Sequence, residues 1–135
     1  MKQDIAAARV VMNSGVPFVQ LPCFGVVSSF TVSKPELEYW LIGKNPLATY
    51  LAENTIQAAE KYAAGTAWTR VIWDVTAVAW LFNENNRFML SRKITTPLPT
   101  YDFLYSTNPD GHLMEYVYYI KRDALLTDLI QKITA

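Results

Sequence analysis

A helix-like segment followed at once by a strand-like segment is the feature that most constrains the fold of this chain. Small apolar residues recur at helical spacing near the N-terminus: Ala6, Ala7, Val10 and Val11. The sequence around Gly15 then supplies a helix stop. Residues 16–21 are mostly apolar and predict a short buried strand. This order is half of a crossover unit. It predicts an α/β fold, but no strand precedes the helix, so the predicted open sheet is incomplete.

Further helices and strands are predicted along the chain. Helices are expected over residues 33–43, 47–64 and 75–82 and after Asp123, and strands over residues 88–94 and 113–120, with a loop over 95–111. One face of the second of these helices carries Leu47, Leu51, Ala58 and Tyr62. The helix over 75–82 is apolar all round and is therefore expected to be buried on every side.

Composition limits the class of protein. The 135 residues, of 15.3 kDa, suffice for one domain spanning 1–135. The hydrophobic fraction of 51% and the charged fraction of 18% exclude a disordered chain. Twelve basic and twelve acidic residues cancel and are scattered, so no nucleic-acid partner is expected. Apolar runs are far shorter than the ~20 residues that a membrane span needs, so no membrane partner is expected either.

Cysteine usage indicates a cytoplasmic protein. Cys23 is the only cysteine, which excludes an internal disulfide and a cysteine metal cluster. No histidine or asparagine partner is placed beside it by sequence, so a buried, inert thiol is expected. Arg9 interrupts the apolar stretch near the N-terminus, and no signal peptide is expected.

Candidate chemistry is sparse, and three residues stand out. Asp74 follows an extended apolar run and begins an apolar helix, at a strand-to-helix junction where open α/β sheets bind ligands. A helix cap explains an aspartate there as well, and is favoured on physical grounds alone. Trp73 fits a core aromatic or a base-stacking platform. His112, the single histidine, fits an exposed loop residue or a pocket-lining one.

Three segments of the chain resemble one enzyme family. Residues 71–81, VIWDVTAVAWL, are similar to the late active-site motif of the inosine–uridine-preferring nucleoside hydrolases. Residues 4–17, DIAAARVVMNSGVP, resemble the family's helix-then-strand segment, and residues 120–126, IKRDALL, resemble its C-terminal helix. The resemblance covers nearly the whole chain and implies part of a nucleoside hydrolase-like open sheet with flanking helices.

The resemblance also implies an activity. The family hydrolyses the N-glycosidic bond of ribonucleosides to base and ribose, with Ca²⁺ holding the ribose diol and a water and an aspartate acting as general base. Asp74 matches a calcium-ligand aspartate of the family. Trp73 stands where many members have a histidine, and this variant resembles the purine-preferring branch, in which the indole stacks on the base. His112 is then a candidate to assist the leaving base.

The sequence lacks several residues on which the family's activity depends. The N-terminal D-x-D-x-x-x-D-D cluster, which supplies most calcium ligands and the general base, has no counterpart here, and neither has the Glu-Phe-Asn sequence before Asp4. Ca²⁺ requires six to eight oxygen ligands. The chain therefore resembles the C-terminal part of the family, and alone it is expected to be inactive and to bind no calcium. The expected partners are further copies or a chain with the missing half. The alternative is a non-catalytic interaction or oligomerisation module, or a remnant.

Overall fold

The computed structural model describes residues 4–135 and shows a mixed α/β architecture with small open sheets. The helices are α1 (Ile5–Met12), α2 (Lys34–Leu41), α3 (Pro46–Ala63), α4 (Val75–Trp80) and α5 (Arg122–Thr134). The strands are β1 (Val19–Gln20), β2 (Thr31–Ser33), β3 (Thr69–Val71), β4 (Met89–Thr95), β5 (Leu98–Pro99), β6 (Tyr105–Ser106) and β7 (Leu113–Ile120). Short 3-10 turns lie at Val27–Ser29 and Glu84–Asn86.

The largest sheet has the strand order β1-β7-β4. β4 and β7 pair antiparallel from Met89↔Ile120 to Thr95↔Leu113, with an irregularity between Leu90 and Ser91. β1 pairs parallel with β7 at the other side of the sheet. The strand predicted over residues 16–21 is therefore present but is only two residues long. The predicted loop over 95–111 contains the small hairpin β5–β6.

The first helix forms as its sequence predicts, and Asp4 caps it by accepting a hydrogen bond from the N–H of Ala7 at 2.8 Å. It does not lie over the sheet like a crossover helix, because its main neighbour is β5. Met12 is its buried residue, whereas Val10 and Val11 face solvent. The helix-then-strand order is therefore confirmed, but the predicted apolar stripe of this helix is not buried.

β2 and β3 form a two-stranded antiparallel sheet, the β2–β3 sheet, although α2 and α3 lie between them in sequence. Most of the core lies between this sheet, the long helices and the end of the large sheet. Phe30, Phe88 and Val117 are fully buried there. On α3 the buried residues are small, namely Ala48, Ala52 and Ala59, each at 0% exposure. These alanines let neighbouring elements approach the α3 backbone closely. The face named from the sequence is largely exposed, since the exposed residues of α3 include Leu47, Leu51, Ala58 and Tyr62.

The prediction that residues 75–82 are buried on every side is wrong. Thr76 and Ala79 are the buried residues of α4, whereas Val78, Leu81 and Phe82 are 59–75% exposed. The helix lies at the surface and covers the core with one side only. No helix or strand among residues 4–135 covers its apolar outer side.

Arg122 of the final helix forms an ion pair with α2 and hydrogen bonds with the backbone of β2. Arg122 donates from Nε and Nη2 to the carbonyl oxygen of Thr31, at 3.0 and 2.8 Å, and from Nη2 to Glu36 at 2.5 Å. The other carboxylate oxygen of Glu36 accepts bonds from the N–H and hydroxyl of Ser33, at 2.8 and 2.7 Å. Burial alone would raise the pKa of Glu36, but the bonds from Ser33 and Arg122 outweigh it and lower that pKa below its usual value.

We expect this network to make stability depend on pH. Because the native pKa of Glu36 lies below its unfolded value near 4.5, the stabilisation is present above that pH and is lost as the pH falls through the native pKa. Glu36→Gln should lower the free energy of unfolding by about 1–3 kcal/mol at pH 7 and by less at pH 3. Urea unfolding over this pH range measures both values. Glu38→Gln, on the exposed side of α2, is the matched control, and an equal loss there would contradict the assignment.

Candidate functional site

The Trp73–Asp74 junction connects β3 to α4. β3 ends at Val71, and the N–H of Ile72 still bonds to the carbonyl oxygen of Phe30 at 3.0 Å. The chain turns at once into α4, and the hydroxyl of Thr76 donates to the carbonyl oxygen of Trp73 at 2.7 Å. A strand-to-helix junction therefore lies where the sequence predicts it.

The carboxylate of Asp74 does not cap this helix. Its backbone is already helical, at φ −79° and ψ −23°, and its side chain makes no capping hydrogen bond. The residue is exposed, and no ion pair within residues 4–135 involves it. Capping, which is the physically favoured explanation from the sequence, is therefore wrong. The carboxylate oxygens remain open to an external partner.

The indole of Trp73 is neither a core aromatic nor part of a closed pocket. It is 41% exposed. A partly exposed indole can stack on a flat ring, but here it would cover one face only. Trp73 and Asp74 thus form an open surface feature rather than a cleft.

Calcium does not fit this surface on the chain alone. Within residues 4–135 no group of three or more histidine, cysteine, aspartate or glutamate side chains lies close enough to hold a metal ion. Asp74 is the only calcium ligand that the family resemblance assigns to this chain, and a single carboxylate falls far short of the six to eight oxygens that Ca²⁺ takes. No catalytic step through calcium can be derived from these residues.

His112 is not the exposed loop residue favoured from the sequence. It is partly buried, and its Nε2 has no hydrogen-bond partner in the described part of the chain. Its carbonyl oxygen accepts from the N–H and hydroxyl of Thr96, at 2.9 and 2.8 Å, which joins the loop to the end of β4. Over residues 4–135 no hydrogen bond connects His112 to Trp73 or Asp74, so the structure does not unite the three candidates.

Sequence reasoning missed a second polar side chain in the same loop. Nδ2 of Asn108 is also buried without a partner, among the residues that the structure describes. Gly111 lies beside it, and a Cβ there would come within 2.6 Å of the carbonyl oxygen of Thr96 and 2.9 Å of Nδ2 of Asn108. The close approach requires a glycine, and only the glycine itself was a signal in the sequence.

Two further expectations can be compared with the structure. Cys23 is exposed, so its predicted burial is wrong. It lies in the turn that follows β1. Among the described residues, no helix has the length and apolar character needed to cross a membrane.

Comparison with known proteins adds no assignment. No protein-family model matches the chain, and no curated protein matches it either. The nucleoside hydrolase resemblance therefore rests on the three sequence segments alone.

We expect Asp74 to be dispensable for folding. Because its carboxylate makes no hydrogen bond to any other residue of 4–135, Asp74→Ala should change the free energy of unfolding by less than about 0.5 kcal/mol. Asn45→Ala is the control: Oδ1 of Asn45 accepts from the N–H of Ala48 at 2.8 Å, and loss of a working cap costs about 1 kcal/mol. Urea unfolding of both variants distinguishes them. A loss at Asp74 as large as that at Asn45 would restore the capping role.

Proposed function

We propose that this chain supplies the Trp73–Asp74 part of a nucleoside hydrolase-like active site, whose other calcium ligands and general base lie on another polypeptide. The observation that carries the proposal is the free carboxylate of Asp74, which neither caps α4 nor forms an ion pair within residues 4–135. Because the local structure does not use this carboxylate, it is available as one of several oxygen ligands of a calcium ion.

Trp73 supports the same proposal through its exposure. Its indole lies next to Asp74 in sequence and remains 41% accessible, so a purine could stack on it while the attached ribose extends towards the carboxylate. Stacking of a base on an aromatic side chain contributes about 1–3 kcal/mol. In the assembled site we assign Trp73 to base recognition and Asp74 to the binding of calcium and ribose. The intact activity would be hydrolysis of a purine ribonucleoside to base and ribose.

The test is complementation. The chain alone, with inosine, guanosine or uridine and millimolar Ca²⁺, should show no turnover. A complex with a polypeptide that carries the family's acidic cluster should hydrolyse inosine, and Asp74→Ala should lower its kcat/KM by at least about a hundredfold, since a calcium ligand is lost. Trp73→Ala should raise KM for inosine by about five- to a hundredfold and affect uridine less.

Several outcomes would contradict the proposal. Turnover by the chain alone that Asp74→Ala abolishes would show that no second polypeptide is needed. A complex whose activity is unaffected by Asp74→Ala would remove the assigned role of the carboxylate. Tyr118→Ala, an exposed aromatic substitution on β7, is the control for Trp73 and should leave KM unchanged.

The alternative, a non-catalytic interaction or oligomerisation module, is favoured by one specific observation. The chain exposes 8852 Å² to solvent, whereas a free-standing protein of this mass exposes roughly 7,000 Å². Much of the outer surface of α4 is apolar, through Val78, Leu81 and Phe82. Monomeric proteins rarely expose large contiguous apolar patches, which mark interaction sites. Both candidate functions therefore place a protein partner near α4.

We expect the purified chain to associate through this surface. Light scattering coupled to size exclusion should give a mass above the 15.3 kDa of one chain, because the outer side of α4 is apolar. Phe82→Asp should shift the protein to a monomer, whereas Tyr62→Asp, at an exposed aromatic residue of α3, should not. A monomer at high micromolar concentration without any substitution would contradict self-association.

A further inference from the structure

A cavity lies between the β2–β3 sheet and the helices α2, α3 and α5, and Ile72 and Val75, on either side of the Trp73–Asp74 junction, also line it. Its volume is about 280 Å³, and its lining is mostly aliphatic. Representative lining residues from different elements are Val32, Leu37, Leu51, Val71, Leu129 and Ile133. An apolar cavity of about 150 Å³ is large enough to bind benzene. This cavity can therefore take a small organic molecule about twice that size.

Arg70 is the unusual member of this lining. It pairs with Val32 of β2, which is only 4% exposed, and directly paired residues of an antiparallel ladder point to the same face. The side chain of Arg70 is thus on the face of the β2–β3 sheet that carries Val32. Its one hydrogen bond within residues 4–135 is a long contact of 3.4 Å to the carbonyl oxygen of Ala58.

No carboxylate neutralises Arg70 in the described part of the chain. The ion pairs of residues 4–135 do not include it. Glu36 also lines the cavity, but its oxygens are engaged by Arg122 and Ser33, so its charge is already balanced. Arg70 is only partly buried, so solvent still reaches its guanidinium. The cavity therefore combines an aliphatic wall with one uncompensated positive charge.

We propose that this cavity binds a medium-chain aliphatic carboxylate, with its tail among the aliphatic side chains and its head on the guanidinium of Arg70. The volume suits a tail of about six to nine carbons. Arginine presents paired N–H donors that match the two oxygens of a carboxylate, which makes it well suited to this head group. The proposal is independent of nucleoside hydrolysis, since it uses none of the residues assigned to that activity.

The test is calorimetric titration of the full chain with three ligands of equal chain length: octanoate, 1-octanol and octylamine. Octanoate should bind at one site per chain and at least tenfold more tightly than octylamine, because only the carboxylate complements Arg70. Arg70→Gln should weaken octanoate by about ten- to a hundredfold, the usual effect of losing a charged hydrogen bond, and leave 1-octanol unchanged. Arg92→Gln, an exposed arginine on β4, is the matched control and should change neither.

Two further measurements locate the ligand. Leu129→Trp fills the cavity and should abolish binding of octanoate and 1-octanol alike, with thermal melting to verify folding. Amide chemical shifts should change around α2, α3 and α5 on addition of octanoate. If Arg70→Gln does not fold, the comparison of octanoate with octylamine on the unaltered chain decides the same question. Absence of octanoate binding, equal affinity for octylamine, or shifts confined to the outer side of α4 would overturn the proposal.

Discussion

The guanidinium of Arg122 is the contact on which the arrangement of this molecule depends. Arg122 is the first residue of α5, one residue after the end of the long strand β7, and it donates to the backbone of β2 and to Glu36 on α2. One side chain therefore links the end of the largest sheet to the β2–β3 sheet and to α2. Because the carboxylate of Glu36 also accepts two bonds from Ser33, the start of α2 is held by the same charge.

That arrangement has a consequence for the surface of the protein. The β2–β3 sheet, α2, α3 and α5 enclose a shared core, and the large sheet contributes Met89, Val117 and Ile120 to it. α4 then lies with only Thr76 and Ala79 buried, so its apolar outer side and the Trp73–Asp74 junction stay uncovered. The candidate site is open because α4, the helix that follows it, contributes only two residues to the interior.

Local signals in the sequence predict where elements begin and end. Asn45 before Pro46 marks the start of α3, and Gly15, at a positive φ of 77°, follows the end of α1. Such signals act over three or four residues, so they do not depend on the remote parts of the chain. The positions of β7 and of the junction before α4 were predicted for similar reasons, because apolar patterning and an aspartate at the start of a helix are local.

The direction in which side chains point was harder to predict, because it depends on distant partners. On α3 a leucine at position 47 is more apolar than an alanine at 48, yet the alanine faces the core, since neighbouring elements pack against the helix backbone there. The face on which Arg70 lies follows from its pairing with Val32, and no local pattern reveals that register. Likewise, the buried Nε2 of His112 depends on how its loop packs against Thr96.

The parallel pairing of β1 with β7 joins residues almost a hundred positions apart, at Val19↔Glu115 and Gln20↔Tyr116. During synthesis, at about 5–20 residues per second, β1 leaves the ribosome several seconds before the strand it needs. Contacts between residues so far apart in sequence also slow folding after release, because a long loop must close first. Among the described strands, β1 therefore waits longest for its partner, and it stays accessible to a chaperone during that time.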